Sequence, residues 1–128
     1  ALIRQAEEKM KDYPDSLLHA RAAENGGALN GRIIFDCAHE NDPAALAVVD
    51  QYEEYLANGI GGLINIFRPE VFLIGGGLSA QGEYLLAPVR EKVKKYTFAY
   101  DIIGAPPVVK ATLGNAAGTI GAAYLDRM

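Results

Sequence analysis

The chain holds a single cysteine, Cys37, among 128 residues. That excludes a disulfide within the chain and a zinc site built from several thiolates. Cys37 and His39 stand two apart, so on a helix they do not face each other. Cys37 reads as a small buried apolar residue, and His19 and His39 as structural or solvated. A basic stripe is also missing. Twelve Lys and Arg stand against 16 Asp and Glu, for a net charge of −4. Nothing in that balance asks for a nucleic-acid partner. The one local basic cluster is Arg90, Lys92, Lys94 and Lys95. It falls where a helix should end, and cations there complement the helix dipole. Long apolar runs are absent too. The longest, Ile60 to Leu78, is broken by Arg68, Pro69 and Glu70, so no membrane span is expected. No signal-peptide pattern opens the chain, and the cytoplasm is the expected location. There is no Ser–His–Asp set, no paired metal ligands and no Gly-Lys-Ser/Thr phosphate loop. Hence no catalytic residue and no metal ligand is expected in this chain. Asp36, Glu40 and Asp42 cluster, but read mainly as helix caps and exposed faces.

What is present suits one globular α/β domain: 50% apolar and 22% charged residues. Residues 2–12 are rich in good helix formers. Tyr13-Pro14-Asp15-Ser16 is a turn, with Asp15 or Ser16 capping a helix over 16–24 that Asn25-Gly26-Gly27 stops. Asn30 caps a third helix with the stripe Ile33, Ile34 and Cys37, and Leu29 as a possible staple. Asp42-Pro43 opens the longest helix, 43–67. Its apolar positions Ala45, Val49, Tyr52, Leu56, Ile60, Leu63 and Phe67 follow the helical repeat. Gly59, Gly61 and Gly62 interrupt it, at a cost of about 1 kcal/mol each against Ala. Close packing against another backbone, within the domain or across a dimer, is the expected reason.

Val71-Phe72-Leu73-Ile74 reads as a buried strand of a parallel sheet, closed by Gly75-Gly76-Gly77. Ligands of open α/β sheets bind past the carboxyl ends of such strands. Glycine there allows positive φ and lets a flat ligand lie on the backbone. A tight turn with no ligand is the plainer alternative. Ser79 to Gly82 is a loop. A helix over 83–97 follows, with Leu85, Val89, Val93 and Tyr96 inward and Pro88 at its first turn or at a kink. A second strand over 107–111 makes a parallel strand–helix–strand crossover. Asn115 caps a last helix, whose small residues include Ala117, Gly118 and Gly121. That helix either packs closely on its neighbours or offers its N-terminus to an anion. Two strands alone make a marginal sheet. The chain also opens inside a helical pattern, at Ala-Leu-Ile-Arg-Gln-Ala. Both features lead us to expect a piece of a larger protein.

Three segments resemble the C-terminal part of sugar kinases of the ROK family (repressors, open reading frames and kinases). They are Ala57-Asn58-Gly59-Ile60-Gly61-Gly62-Leu63-Ile64-Asn65, Pro69 to Ser79, and Leu113-Gly114-Asn115-Ala116-Ala117-Gly118-Thr119-Ile120-Gly121-Ala122-Ala123. The likeness is specific from 57 to 125. Asn41 stands where that family usually has Gly, and Arg68 where Asn usually precedes Pro-Glu.

The resemblance implies an α/β fold: the C-terminal part of a ribonuclease H-like (actin–hexokinase) domain. It implies one partial domain over 1–128, with a helical region over 1–67 and a nucleotide-site region over 68–128. Gly75, Gly76, Gly77, Leu78 and Ser79 would cup the adenosine of ATP. Asn115, Ala117, Gly118 and Gly121 would lie at the hinge of the connecting helix. The implied reaction is γ-phosphoryl transfer from MgATP to a sugar, glucose or an N-acetylated hexosamine. The family's phosphate loops, its Asn-Asp base and its Cys-rich zinc segment are not in this chain. Zinc would enter only through such an upstream segment. This chain alone is therefore expected to be inactive, to bind sugar only through residues it lacks, and to form a homo-oligomer. The same fold serves ROK repressors, and DNA would be a partner only in that case. A self-standing binding module is the third reading.

Overall fold

The computed structural model describes residues 2–75 and 80–111. Gly76–Ser79 and the helix expected from Asn115 lie outside the described residues. The described elements run α1 (Leu2–Met10), α2 (Leu17–Glu24), α3 (Gly31–His39), α4 (Pro43–Phe67), β1 (Phe72–Ile74), α5 (Glu83–Tyr96), α6 (Tyr100–Ile103) and β2 (Val108–Lys110). The chain forms two compact units, Ala1–Tyr55 and Leu56–Met128.

In the first unit each helix boundary follows from local chemistry. Ser16 caps α2, its Oγ accepting from the Leu18 N–H at 3.1 Å. Gly26 and Gly27 end that helix with φ of +67° and +84°, a backbone that side chains disfavour. The Gly27 N–H then reaches the Ala22 carbonyl at 2.8 Å, satisfying an end carbonyl of the helix. Asn30 caps α3 by accepting from the Ile33 N–H at 2.9 Å. Helix α3 buries Ile34, Phe35, Cys37 and Ala38, and it packs with α1 and α2. His19 Nε2 lies 3.1 Å from the Met10 carbonyl and 3.2 Å from that of Tyr13. Carbonyls only accept, so this nitrogen carries the proton.

Asp42 does more than open α4. Its Oδ2 accepts from the Ala45 N–H at 2.9 Å and from the Ser16 hydroxyl at 2.8 Å. Its Oδ1 accepts from the Leu17 N–H at 2.8 Å. One buried carboxylate thus serves the starts of α2 and α4. Burial alone would raise its pKa. The bonds from Ala45, Leu17 and Ser16 outweigh burial and hold it below the ordinary aspartate value.

The second unit begins within α4, and here the expected apolar stripe fails. Ala57, Ile60 and Ile64 are buried, while Phe67 is 72% exposed and Leu63 is exposed as well. Gly61 lies on the buried side. A Cβ placed on it would overlap the Cβ of Tyr96 and lie 3.1 Å from the Tyr96 carbonyl carbon. Close packing therefore explains Gly61. Nothing among the described residues lies within 4 Å of a Cβ placed on Gly59 or Gly62, so close packing within this part of the chain does not explain those two.

Strands β1 and β2 pair in parallel, with Phe72 opposite Val108, Leu73 opposite Val109 and Ile74 opposite Lys110. The expected burial of β1 is corrected. Phe72 and Ile74 are half-buried, and Leu73 is 59% exposed. The described sheet has two strands, too few to cover both faces. Helix α5 packs on β2 and buries Leu85, Leu86, Val89 and Val93. Leu86 takes the inward place expected of Tyr96, which is half-buried. Pro88 sits inside α5. The single turn α6 was not expected from the sequence.

Candidate functional site

Element order fixes which ends of the second unit come together. Strand β1 leaves at Gly75, and α5 starts soon afterwards at Glu83. Because β2 is parallel to β1, it leaves at the same end, at Ala111. The two strand ends are tied by the Ala111 N–H donating to the Ile74 carbonyl at 2.8 Å.

Gly75 is the one expected nucleotide-site residue among the described residues, and it sits at this strand end. It is exposed. A Cβ on it would meet the Ala111 Cβ at 3.8 Å, an ordinary contact. Its φ is not positive, so the positive-φ reason for glycine does not hold at position 75. Among the described residues, neither packing nor φ demands glycine there. Gly76, Gly77, Leu78 and Ser79 lie outside the described residues, as do Asn115, Ala117, Gly118 and Gly121.

Arg90, which the sequence groups with the lysines near the helix end, links α5 to β2. In the structure its Nε donates to the Val108 carbonyl at 2.7 Å, and its guanidinium forks onto the Glu83 carboxylate. It thereby ties the first turn of α5 to β2. The hydrogen bonds from Arg90 hold the Glu83 carboxyl below its ordinary value. The available signal was the seven-residue spacing of Glu83 and Arg90, which puts both on one helix face.

Among the described residues, no group of three His, Cys, Asp or Glu could hold a metal ion. No described helix is long and apolar enough to cross a membrane.

Comparison with known proteins gives a consistent pattern. Residues 15–128 match the sequence model of the ROK family. The glucokinase of Thermotoga maritima is 38% identical over 125 residues, covering 98% of this chain and 39% of that protein. The crystal structure of a ROK family glucokinase from Streptomyces griseus, in complex with glucose and AMPPNP, superposes with a TM-score of 0.86 at 28% identity. The match covers 98% of this chain and 41% of that one. A ROK family transcriptional regulator, a homolog of the E. coli MLC protein, superposes with a TM-score of 0.66 at 23% identity. It covers 86% of this chain and 26% of that one, and shares the fold. The chain thus spans about two-fifths of the length of the first two proteins.

Proposed function

Because this chain belongs to the ROK family and has the α/β fold of its glucokinases, we propose that it supplies the adenosine-binding part of an ATP-dependent sugar kinase. The observation that carries this reading is the bare, exposed Gly75 at the carboxyl end of a parallel strand. Among the described residues neither packing nor φ requires glycine there, and a glycine at a strand's carboxyl end lets a flat ligand lie on the backbone.

In this reading the backbone from Gly75 through Ser79 lies along adenine and ribose. Asn115, Ala117, Gly118 and Gly121 lie at the hinge between lobes. When bound, MgATP supplies the γ-phosphoryl group that passes to a sugar hydroxyl. Gly75 fits the adenosine end of that substrate. This chain binds and orients the nucleotide, and Arg90 keeps α5 and β2 in place behind the strand end. The proton-accepting base and the sugar contacts fall to the rest of the protein, and this chain alone is inactive. Glucose is the acceptor we favour, since two of the relatives compared are glucokinases. Zinc enters only through segments outside this chain. A cytoplasmic homo-oligomer, where ATP is abundant, completes the proposal.

The repressor reading has weaker support: its structural likeness is 0.66 against 0.86. One experiment separates the two. Glucose phosphorylation is measured for the complete protein carrying this segment, beside its Gly75→Val variant. We expect activity in the parent and a KM for ATP raised roughly tenfold, about 1.4 kcal/mol, in the variant. The KM for glucose should hold. An unchanged KM for ATP would remove the adenosine assignment. DNA binding without phosphorylation would move the chain to the repressors.

A further inference from the structure

We infer that Arg90 closes the outer edge of β2, so that no extended segment of another chain can pair there. The inference does not rest on the kinase reading. The edge of a sheet offers a row of backbone N–H and C=O groups to any extended chain that meets it. Unguarded, such a row is a template for aggregation.

The ladder between the strands fixes which groups face outward. In a parallel pair the N–H and C=O of one residue point to the same side, and successive residues alternate. The Phe72 N–H donates to the Pro107 carbonyl, and the Ala111 N–H to the Ile74 carbonyl, both at 2.8 Å. Phe72 stands opposite Val108, and Ile74 opposite Lys110. Val109, between the Pro107 carbonyl and the Ala111 N–H, therefore turns its backbone groups toward β1. Val108 and Lys110 turn theirs away, to the outer edge. No described strand pairs on that side. A groove of about 420 Å³, lined by α5 and by residues 105–109, adjoins the strand.

Along this edge each position is disarmed in its own way. Pro106 and Pro107, just before β2, have no N–H to offer. The outward carbonyl of Val108 is already taken, by Arg90 Nε at 2.7 Å. The same guanidinium forks onto the Glu83 carboxylate, which holds it in place over the edge. Arginine keeps its charge across the whole range in which proteins fold, so the bond does not depend on pH. Lys110 then sets an exposed cation beside the last outward pair, a common guard of edge strands. A chain arriving at this edge must break a charge-assisted bond, and its first partners lack a donor. Strand β1 carries no such device: Val71-Phe72-Leu73-Ile74 has neither charge nor proline. The devices gather on one edge of the sheet, with Arg90 at their centre. A mere brace between α5 and β2 would be missed only as stability. A guard would be missed as strand pairing.

The test compares the complete protein with Arg90→Met and with the double variant Arg90→Met/Lys110→Pro. Methionine keeps an unbranched stem against β2 and loses the donor. Growth of thioflavin-binding aggregates should be about tenfold to a hundredfold faster in Arg90→Met, the factor that loss of a hydrogen bond from a charged group corresponds to. Proline at position 110 removes an outward N–H and no bond to β1, as edge strands tolerate. It should bring the growth rate back toward the parent's. Growth in Arg90→Met no faster than in the parent would overturn the proposal. A double variant as fast as the single one would overturn it too, since proline does not repair a lost brace. Should Arg90→Met fail to fold, the parent and Lys110→Pro are compared in mild urea, which loosens the guard. Slower growth in the proline variant then supports the closed edge, and equal or faster growth overturns it.

Discussion

The α-carbon of Gly61 rests against the Cβ of Tyr96, leaving no room for a methyl group between α4 and the end of α5. Gly61→Ala must push the two helices apart, at a cost of about 1–3 kcal/mol. Gly59→Ala and Gly62→Ala meet nothing within 4 Å. They should be neutral or should stabilise by up to about 1 kcal/mol each, from lost backbone freedom in the unfolded chain. Urea midpoints of the three variants check this. Equal losses at all three positions would mean that a further backbone packs on Gly59 and Gly62.

Asp42 makes the first unit sensitive to acid. Its folded pKa lies below the ordinary value. The capping bonds are therefore fully present above about pH 3.9, the unfolded aspartate value. They are lost as pH falls through the lower folded value. Asp42→Ala removes both caps and strips the Ser16 hydroxyl of its partner, for a loss of about 2–4 kcal/mol at neutral pH. Asp42→Asn keeps one acceptor oxygen, so it should lose less and flatten the acid limb of the stability curve. A parent and an Asn variant with the same acid limb would contradict the assignment.

Cys37 should be chemically quiet. It is fully buried, and burial, followed by the negative charge of Asp42, pushes its thiol pKa up. The thiolate is the reactive form, so modification by a disulfide reagent should be slow in the folded protein. It should become fast in denaturant. Rapid stoichiometric labelling of Cys37 under native conditions would show that α3 opens readily.

The parts of the fold legible in the sequence are those decided within four or five residues. Ser16, Asn30 and Asp42-Pro43 start helices because a short polar side chain can reach an N–H two or three positions on. The stop at Gly26 and Gly27 is equally local. Both ends of α4 and the cores of β1 and β2 followed from such signals. What escaped is decided between distant segments. The carboxylate of Asp42 also serves Leu17, 25 positions away. Asn65 bonds to Tyr96 and Phe98 across more than 30 positions. The stripe of α4 misled because size was taken as the mark of an inward face. In its second half the helix turns Ala57, Ile60, Gly61 and Ile64 inward and leaves Leu63 and Phe67 outside. Of the expected site residues, Gly75 lies at the end of β1, where a strand closed by glycine puts it. The link from Arg90 was not legible, since its partner on β2 is a backbone carbonyl with no side-chain signature.

The bond between Ser16 and Asp42 spans 26 positions, and it works as a clasp. Once it forms, α2, α3 and the turns beside them lie in a ring of chain fastened at both ends. Fastening the ends is entropically costly once, and the cost grows only slowly with ring length. Everything inside the ring then has less freedom left to give up. Helix α3 therefore docks on α2 from a confined start rather than from an open chain. One acidic side chain thereby lowers the freedom that the whole enclosed segment has to lose.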